Sequence, residues 1–397
     1  MSAPPASVLV VNCGSSSVKI AFVDPVTGER AMTGVGERVG GHDTVVHIRR
    51  RDDEQSRSPD DGSHRGVVAH LLATLTEEER ATVTGVGHRV VHGGSHFSAS
   101  VLIDDEVVSA LHDLVDLAPL HLPANLAGIE AVRAELPDLP QVAAFDTAFH
   151  QTMPPVAYRY AVPSEWFEDH DVRRYGFHGI SHGYVSARAA ELLGRPLESL
   201  RMVTLHLGNG CSATAVRDGI SVDTTMGLTP LEGLVMGTRS GDVDPALLGY
   251  VANRLGLDLT GVLDALNNRS GLLGLSGISN DMRTLTDAAR QGSESAALAI
   301  EVFAYRAAKA VGGLAVALGR LDVLVFTGGI GEQAPQVRSA ILGHLGVLGL
   351  HEDTDANTDH GRRTGGRISL VDDHAVALVV PTDEELVIAR DTRRLAP

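Results

Sequence analysis

Short apolar runs alternate with glycine-rich turns and longer amphipathic stretches along the whole chain, a pattern typical of an α/β protein. The first run, Ser7 to Val11, leads through a polar turn into the alternating apolar positions Val18, Ile20 and Phe22, which predicts a β-hairpin. Further strands are predicted over 85–91, 141–145, 201–207, 213–216, 322–326 and 375–380. Helices are predicted near 70–80, 105–116, 124–135, 181–193, 245–255, 294–318, 335–345 and 384–392.

The two halves of the chain repeat one order of elements: strand, turn rich in glycine and hydroxyl groups, strand. This order predicts two related α/β domains that face each other across a cleft. We place the first domain at residues 1–150, with a C-terminal helix over about 384–397 returning to it, and the second at 151–383. Residues 38–65 are polar and charge-dense, which indicates an exposed loop with some edge strand.

The composition of the chain argues against several classes of protein. The chain of 397 residues carries 33 basic and 50 acidic residues, and its net charge of -17 argues against binding to nucleic acid or anionic membranes. Two cysteines are too few for a disulfide framework or a thiolate zinc site. The N-terminus has no signal-peptide pattern and no run is long enough to span a membrane, so we expect a cytoplasmic protein.

The first two glycine turns have the composition of phosphate-binding loops. One holds Asn12, Ser15 and Ser17 with Lys19 just beyond, and the other covers His206 to Ser212. Backbone N–H groups and small hydroxyls hold phosphate without a large fixed charge. Ordinary hairpin turns are the alternative for either turn alone. A Walker A loop is excluded, because neither lysine of the chain follows glycine and precedes serine or threonine.

A third turn, Gly329 to Ala334, follows a predicted strand and fits the G-x-G-x-x-A fingerprint of dinucleotide-binding folds. It comes late in the chain, however, instead of opening a first βαβ unit. Its simpler interpretation is a backbone that approaches a flat ligand such as a nucleoside.

Two arginines are flanked by glycine and small residues, Arg89 in 88–94 and Arg239 in 237–241, as expected for side chains that reach into a cleft. Surface arginines are the alternative. Asp146 ends a predicted strand, where α/β folds place ligand groups. Glu384 starts the last helix, where the helix dipole alone would also favour it. His178 lies in a short segment rich in arginine, aromatic residues and glycine.

Taken together, these motifs resemble the acetate kinase family, which shares its actin-like, ribonuclease H-like fold with sugar kinases and heat-shock ATPases. The resemblance covers nearly the whole chain. It rests on the segments 10–19, 88–94, 145–150, 174–179, 206–210, 225–233, 236–241 and 326–332. It implies an enzyme that makes acetyl phosphate and ADP from acetate and ATP, reversibly, with Mg²⁺ or Mn²⁺, and that forms a homodimer.

The resemblance also implies a role for individual residues. As metal ligands it implies Asn12, Asp146 and Glu384. As catalytic groups it implies Arg89, Arg239, His178 and Asp146. As contacts of the acyl substrate it implies Arg89, Val91, Leu120, His121, Phe177 and Pro230. As nucleotide contacts it implies Ser15, Ser17, Lys19, His206, Leu207, Gly208, Asn209, Gly210, Gly329, Ile330, Gly331 and Gln333.

The chain departs from the usual family pattern at Cys13, Leu122, Cys211, Gln333 and Asp383, and none of these positions removes a charged catalytic group. Cys13, beside the first turn, prompts the hypothesis that modification of its thiol blocks nucleotide binding.

Two alternative functions remain open from the sequence. A sugar kinase would need a general base and a site for hydroxyl groups, and a chaperone-like nucleotide switch would not need the two arginines.

Overall fold

The computed structural model describes residues 7–41, 43–50 and 53–396. Its contacts divide the chain into two units. One unit runs to Ala148 and resumes at Asp383, and the other comprises Phe149–Thr382.

The first unit is built on an eight-stranded sheet in the order β5-β4-β3-β2-β1-β6-β8-β7. Its strands are β1 (Ser7–Cys13), β2 (Ser17–Val23), β3 (Arg30–Glu37), β4 (Val45–Arg50), β5 (Asp53–Arg57), β6 (Val83–Val90), β7 (Val101–Leu102) and β8 (Gln141–Phe145). Strands β1, β2 and β3 are antiparallel neighbours, whereas β1, β6 and β8 run parallel to one another. The carboxyl ends of β1, β6 and β8 therefore lie at one edge of the sheet.

Five helices complete this unit: α1 (His64–Ala73), α2 (Glu77–Thr82), α3 (Asp105–Asp113), α4 (Leu122–Glu135) and α16 (Glu384–Leu395). Helices α1 and α4 contact each other and the sheet, and their apolar side chains, Leu71 of α1 among them, share a core with Leu9 and Ile20 of the strands. Helix α16 packs against β6 at Gly87, where an added Cβ would lie 2.4 Å from Ile388. The glycine therefore lets the C-terminal helix approach the sheet closely.

One prediction in this unit is wrong in detail, and another is confirmed. The helix predicted over 70–80 is two helices, because Thr76 begins α2 with a capping box: its hydroxyl accepts from the Glu79 N–H at 3.1 Å, and the Glu79 carboxylate accepts from the Thr76 N–H at 2.9 Å. The region 38–65 was predicted as an exposed loop with some edge strand, and this is confirmed: it contains β4, which pairs with β3, and β5, which forms the edge of the sheet beyond β4. The exposed, charged residues of β5 suit a sheet edge.

The second unit contains a five-stranded sheet in the order β11-β10-β9-β12-β13. Its strands are β9 (Arg201–Leu207), β10 (Cys211–Arg217), β11 (Ile220–Thr224), β12 (Val323–Thr327) and β13 (Val376–Val379). An antiparallel meander, β9 to β11, is extended by two parallel strands on the other side of β9. Strands β3-β2-β1-β6-β8 of the first unit follow the same order and directions, so the predicted repetition of one α/β pattern is confirmed.

The helices of the second unit are α5 (Pro155–Tyr158), α6 (Ser164–His170), α7 (Gly179–Leu193), α8 (Ala246–Leu255), α9 (Leu259–Asn268), α10 (Gly271–Ser276), α11 (Met282–Arg290), α12 (Glu294–Leu318), α13 (Gly328–Gln333), α14 (Pro335–Gly343) and α15 (Thr354–Thr358). Helix α12 is the longest of them, and it buries one face against the sheet and α14. Within the described ranges, no helix is long and apolar enough to cross a bilayer.

The third predicted turn is the short helix α13, which begins directly after β12. The Glu332 carboxylate returns to the start of this helix and accepts from the Gly328 N–H at 3.0 Å. The dinucleotide-binding alternative is wrong, because this sheet begins with an antiparallel meander and not with the parallel βαβ units that the fingerprint requires.

Candidate active site

In the first unit, three parallel strands end beside one another with polar side chains. Asn12 lies near the end of β1, Arg89 near the end of β6 in register with Asn12, and Asp146 directly after β8. Helix α16 adds Glu384 from its first turn. The carboxyl edge of parallel strands is where α/β folds place ligand groups, as expected for Asp146.

One guanidinium connects these four residues. Arg89 donates from Nε to Oδ1 of Asp146 at 3.1 Å and from Nη2 to Oδ2 of the same carboxylate. Its Nη1 donates to Oδ1 of Asn12 at 3.4 Å, and Oε2 of Glu384 lies 3.7 Å from its Nε. Burial by itself would lower the pKa of Arg89, but the charges of Asp146 and Glu384 outweigh it and the pKa is raised. The carboxylate of Asp146 is only 1% exposed.

The first glycine turn lies between β1 and β2, closed by a hydrogen bond from the Gly14 N–H to the Ser17 carbonyl at 2.7 Å. The side chains of Ser15 and Lys19 are exposed and Ser17 is half-buried. A histidine supports the turn from α1, with Nε2 of His64 2.7 Å from the Gly14 carbonyl oxygen. Hydroxyl groups and one ammonium group are thus presented to solvent from a braced loop.

The residues predicted to contact the acyl group occur in both units. In the first unit, Val91 is buried directly after β6, Leu120 is exposed, and His121 caps the N-terminus of α4. In the second unit, Phe177 is buried and Pro230 is half-buried.

The second glycine turn, Gly208–Gly210, occupies in the second unit the place that the first turn has between β1 and β2. His178 precedes α7 with a positive φ of 56°, a conformation uncommon for a residue other than glycine. Its ring stacks on His206 with 4.2 Å between centroids. A Cβ on Gly210 would lie 3.4 Å from Nε2 of His178 and 3.6 Å from Nη1 of Arg239. The turn therefore adjoins both side chains.

Arg239 differs from Arg89 in its partners. Its Nη1 donates to the Pro230 carbonyl at 3.2 Å, and no carboxylate of the described residues lies within ion-pair distance of it. Burial lowers the pKa of Arg239. Arg239 is therefore a half-buried cation that no carboxylate of its own unit neutralises. This is expected of a side chain that binds an anionic ligand.

A pocket of about 560 Å³ adjoins the second turn. It is lined by the predicted nucleotide contacts Gly208, Asn209, Gly329, Ile330 and Gln333, by Asn280, Asp281, Met282 and Arg283, and by Ala334 and Gln336. Two further predicted nucleotide contacts of this unit lie beside the lining residues in the chain: Leu207 is buried at the end of β9, and Gly331 is buried in α13.

The segment 280–283 is a part of this pocket that the sequence analysis missed. Asn280 donates to Oδ1 of Asn209 at 3.1 Å. Asp281 caps α11 by accepting from the backbone N–H groups of Arg283 and Thr284. Hydrogen bonds from the Arg283 side chain and from these N–H groups lower the pKa of Asp281 to about 2. The sequence feature that could have indicated this segment is an aspartate directly before an amphipathic helix, which is typical of a helix N-terminus.

The hypothesis of a reactive Cys13 does not fit its surroundings. The thiol is buried, and an added Cβ on Gly128 of α4 would lie 2.4 Å from its Sγ. Burial raises the pKa of Cys13 to about 12. Since the thiolate is the reactive form, the structure argues for an inert thiol.

Comparisons with known proteins point to a single family. The model of the acetokinase family matches residues 7–390. The acetate kinase of Deinococcus radiodurans is 56% identical over 385 residues, which are 97% of this chain and 96% of that protein. The acetate kinase of Deinococcus deserti is 55% identical over 391 residues, 98% of this chain and 97% of that protein.

Solved structures show the same similarity. A propionate kinase from Francisella tularensis superposes with a TM-score of 0.93 at 43% identity, covering 98% of this chain and 100% of that one. The acetate kinase of Porphyromonas gingivalis superposes with a TM-score of 0.92 at 41% identity, covering 99% and 100%. The expected two-domain, actin-like fold is thereby confirmed, and the chain belongs to the acetokinase family.

Proposed function

We propose that this protein is an acetate kinase, which transfers the γ-phosphoryl group of ATP directly to acetate and gives acetyl phosphate and ADP, reversibly. The observation that carries the proposal is Arg239, a half-buried cation with no carboxylate partner among the described residues, beside Gly210 of a phosphate-type turn and the ring of His178. In a protein of net charge -17, only such local donors attract a transferring phosphoryl group.

The two units take different parts in this proposal. The unit Phe149–Thr382 binds the nucleotide, with the second turn at its phosphates and the 560 Å³ pocket at its nucleoside. The unit that runs to Ala148 binds the acyl substrate, with Arg89 on the carboxylate, and contributes the first turn to phosphate binding.

The donor set around Arg89 fits a magnesium ion. Asn12, Asp146 and Glu384 supply one amide and two carboxylates, which are the hard oxygen ligands that Mg²⁺ prefers, and Mn²⁺ suits the same set. Their oxygens converge on one guanidinium, so they are already arranged around a positive charge. Mg²⁺ held there together with phosphate oxygens and water would neutralise charge on the transferring group.

In this reaction the protein has two main tasks, which are to bind the substrates and to stabilise the charge that develops on the phosphoryl group. Acetate is ionised at neutral pH, so its attack on the phosphoryl group requires no general base. Asp146 is buried and paired with Arg89, which excludes it as a nucleophile in this proposal and leaves it the role of orienting metal and guanidinium. Arg239 and the imidazole of His178 stabilise the equatorial oxygens during in-line transfer.

Acyl selectivity is the decisive test, because the relatives include acetate kinases and a propionate kinase. We expect ATP with Mg²⁺ to give acyl phosphate from acetate with a kcat/KM about tenfold above that for propionate, since one methylene in an apolar pocket is worth about 1–3 kcal/mol. Acyl phosphate formed from acetate or propionate is measured by hydroxamate trapping, and turnover of all four compounds (acetate, propionate, glycerol and glucose) is compared by the release of ADP. Equal or faster turnover of propionate would make the protein a propionate kinase, and turnover of glycerol or glucose alone would contradict the proposal.

The same assay compares ATP with GTP, because Gln333, one of the positions at which the sequence departs from the expected family pattern, lines the nucleoside pocket. The small-molecule partners in this proposal are acetate, acetyl phosphate, ATP and ADP; nucleic acid and membranes have no part in it. An enzyme that draws on the ATP pool belongs in the cytoplasm, where we place this one.

We also propose a homodimer formed through the second unit. Helix α12 presents Leu298, Val302 and Tyr305 at spacings of four and three, hence on one face, and Leu298 and Tyr305 are both about half exposed. Val302 also lines a hollow of about 390 Å³ with residues of α10. An exposed apolar stripe of this kind marks a protein interface.

The dimer is tested by light scattering after gel filtration. The wild-type protein should have twice the 41.8 kDa mass of one chain, and the substitutions Leu298→Glu and Tyr305→Glu together should give monomers. Val26→Glu, at an exposed apolar residue of the first unit, is the matched control and should remain dimeric. A wild-type monomer, or a dimer that survives both charges, would contradict this interface.

A further inference from the structure

A chain of buried polar groups leads from the interior of the second unit to His178. Oγ1 of Thr204 on β9 lies 2.7 Å from Nδ1 of His182 on α7. Nε2 of His182 lies 2.8 Å from Oγ of Ser212 on β10, and this hydroxyl lies 2.8 Å from Nδ1 of His178. Thr204, His182 and Ser212 are fully buried. The proposed chemistry gives Thr204 and His182 no role, and the hydroxyl of Ser212, at the end of the second glycine turn, lies between two histidines instead of facing a ligand.

The protons of this chain have one consistent arrangement. Each hydroxyl has a single proton, and the described residues offer the hydroxyl of Thr204 no acceptor other than Nδ1 of His182. If His182 instead donated from Nδ1 to Thr204, the hydroxyl proton of Thr204 would be buried without an acceptor among the described residues, which is unfavourable. The direction of donation is therefore from Thr204 to His182.

The remaining protons follow from that direction. Burial, and then the nearby His150 and His206, lower the pKa of His182 well below its ordinary value, so its ring is neutral and its one proton lies on Nε2. That N–H donates to Ser212. The described residues offer the Ser212 hydroxyl only one further acceptor, which is Nδ1 of His178. Nδ1 of His178 then carries no proton, and the ring proton lies on Nε2.

We propose that Thr204, His182 and Ser212 form a one-way hydrogen-bond relay that holds His178 in the tautomer protonated on Nε2, the nitrogen that adjoins Gly210. His182 and Ser212 are thus positioning residues for the reaction. The tautomer stands on the hydrogen bonds alone, whereas its use rests on the proposed function. There, the fixed N–H group donates to a phosphoryl oxygen without prior reorientation of the ring.

Nuclear magnetic resonance of the full-length protein tests the tautomer directly. Deuterated protein with ¹⁵N-labelled histidine is studied at neutral pH by long-range ¹H–¹⁵N correlation, and the two rings are assigned with His178→Gln and His182→Gln. We expect the proton on Nε2 and an unprotonated Nδ1 in both rings. A proton on Nδ1 of either ring would overturn the relay. This readout requires no enzymatic activity, so it stands apart from any failure of the proposed function.

Kinetics test the use of the relay. Ser212→Ala removes the link to His178, and we expect kcat to fall about tenfold while KM for ATP and acetate stays within twofold. Thr214→Val is the matched control: it removes another buried hydroxyl of β10, and its partner Thr224 still donates to the Ala213 carbonyl at 3.0 Å. The control should keep the wild-type kcat. Equal kcat in Ser212→Ala and Thr214→Val would refute the positioning role.

Discussion

Replacing Arg239 with methionine is expected to lower kcat by about 10³-fold or more, the scale of an arginine that stabilises a transferring phosphoryl group. Methionine keeps much of the volume of the stem and removes only the guanidinium, so packing is largely preserved. KM for ATP and for acetate should change by a few fold at most, because the interaction strengthens in the transition state. Steady-state kinetics in which the concentrations of ATP and acetate are both varied gives kcat and the two KM values.

The same substitution should leave the fold intact. Arg239 has no carboxylate partner among the described residues, so its removal strands no buried charge. We expect the free energy of unfolding in urea to change by no more than about 1 kcal/mol. Arg239→Lys keeps the charge without the planar fork and should recover only part of the loss. Turnover close to wild type in Arg239→Met would remove this residue from the mechanism.

Replacing Arg89 with methionine is expected to damage both activity and stability. Catalytic efficiency toward acetate should fall about 10³-fold or more, because the proposed carboxylate contact is lost. Unlike Arg239, Arg89 neutralises the buried carboxylate of Asp146 through two hydrogen bonds. Breaking a buried pair by removing one partner costs about 3–5 kcal/mol, so the free energy of unfolding should fall by about that amount.

A second substitution separates the two effects of the Arg89 change. In the double variant Arg89→Met/Asp146→Asn, the stranded charge is gone, and most of the lost stability should return while activity remains absent. Urea unfolding and the acetate assay on the single and double variants complete the cycle. A single variant as stable as the wild type would contradict the pairing seen here, and one that retains full activity would exclude Arg89 from acetate binding.

Much of the fold was predictable from local patterns. Alternating apolar residues after the turn at 12–17 predicted a hairpin, and the apolar runs on both sides of the turn at 208–212 predicted a second strand–turn–strand unit, because strand patterns and turn residues act over a few positions. The returning helix at 384–392 was also expected. The error came at a boundary, where the capping box of Thr76 divided one predicted helix into two. The extent of strand within 38–65 was not predictable from local patterns, because the charged strand β5 is held by its pairing with β4.

The candidate site also has features that the sequence determines and features that only the tertiary structure decides. The sequence by itself determined which residue types could serve phosphate and carboxylate chemistry, since glycine, hydroxyl and guanidinium groups at turns and strand ends carry that information locally. Only the tertiary structure decided which arginine is neutralised and which is not, because Asp146 lies 57 positions from Arg89 and reaches it through the pairing of β6 with β8. It also decided that His182 on α7 meets Ser212 on β10. Such contacts depend on how helices pack on sheets, and no local pattern encodes that packing.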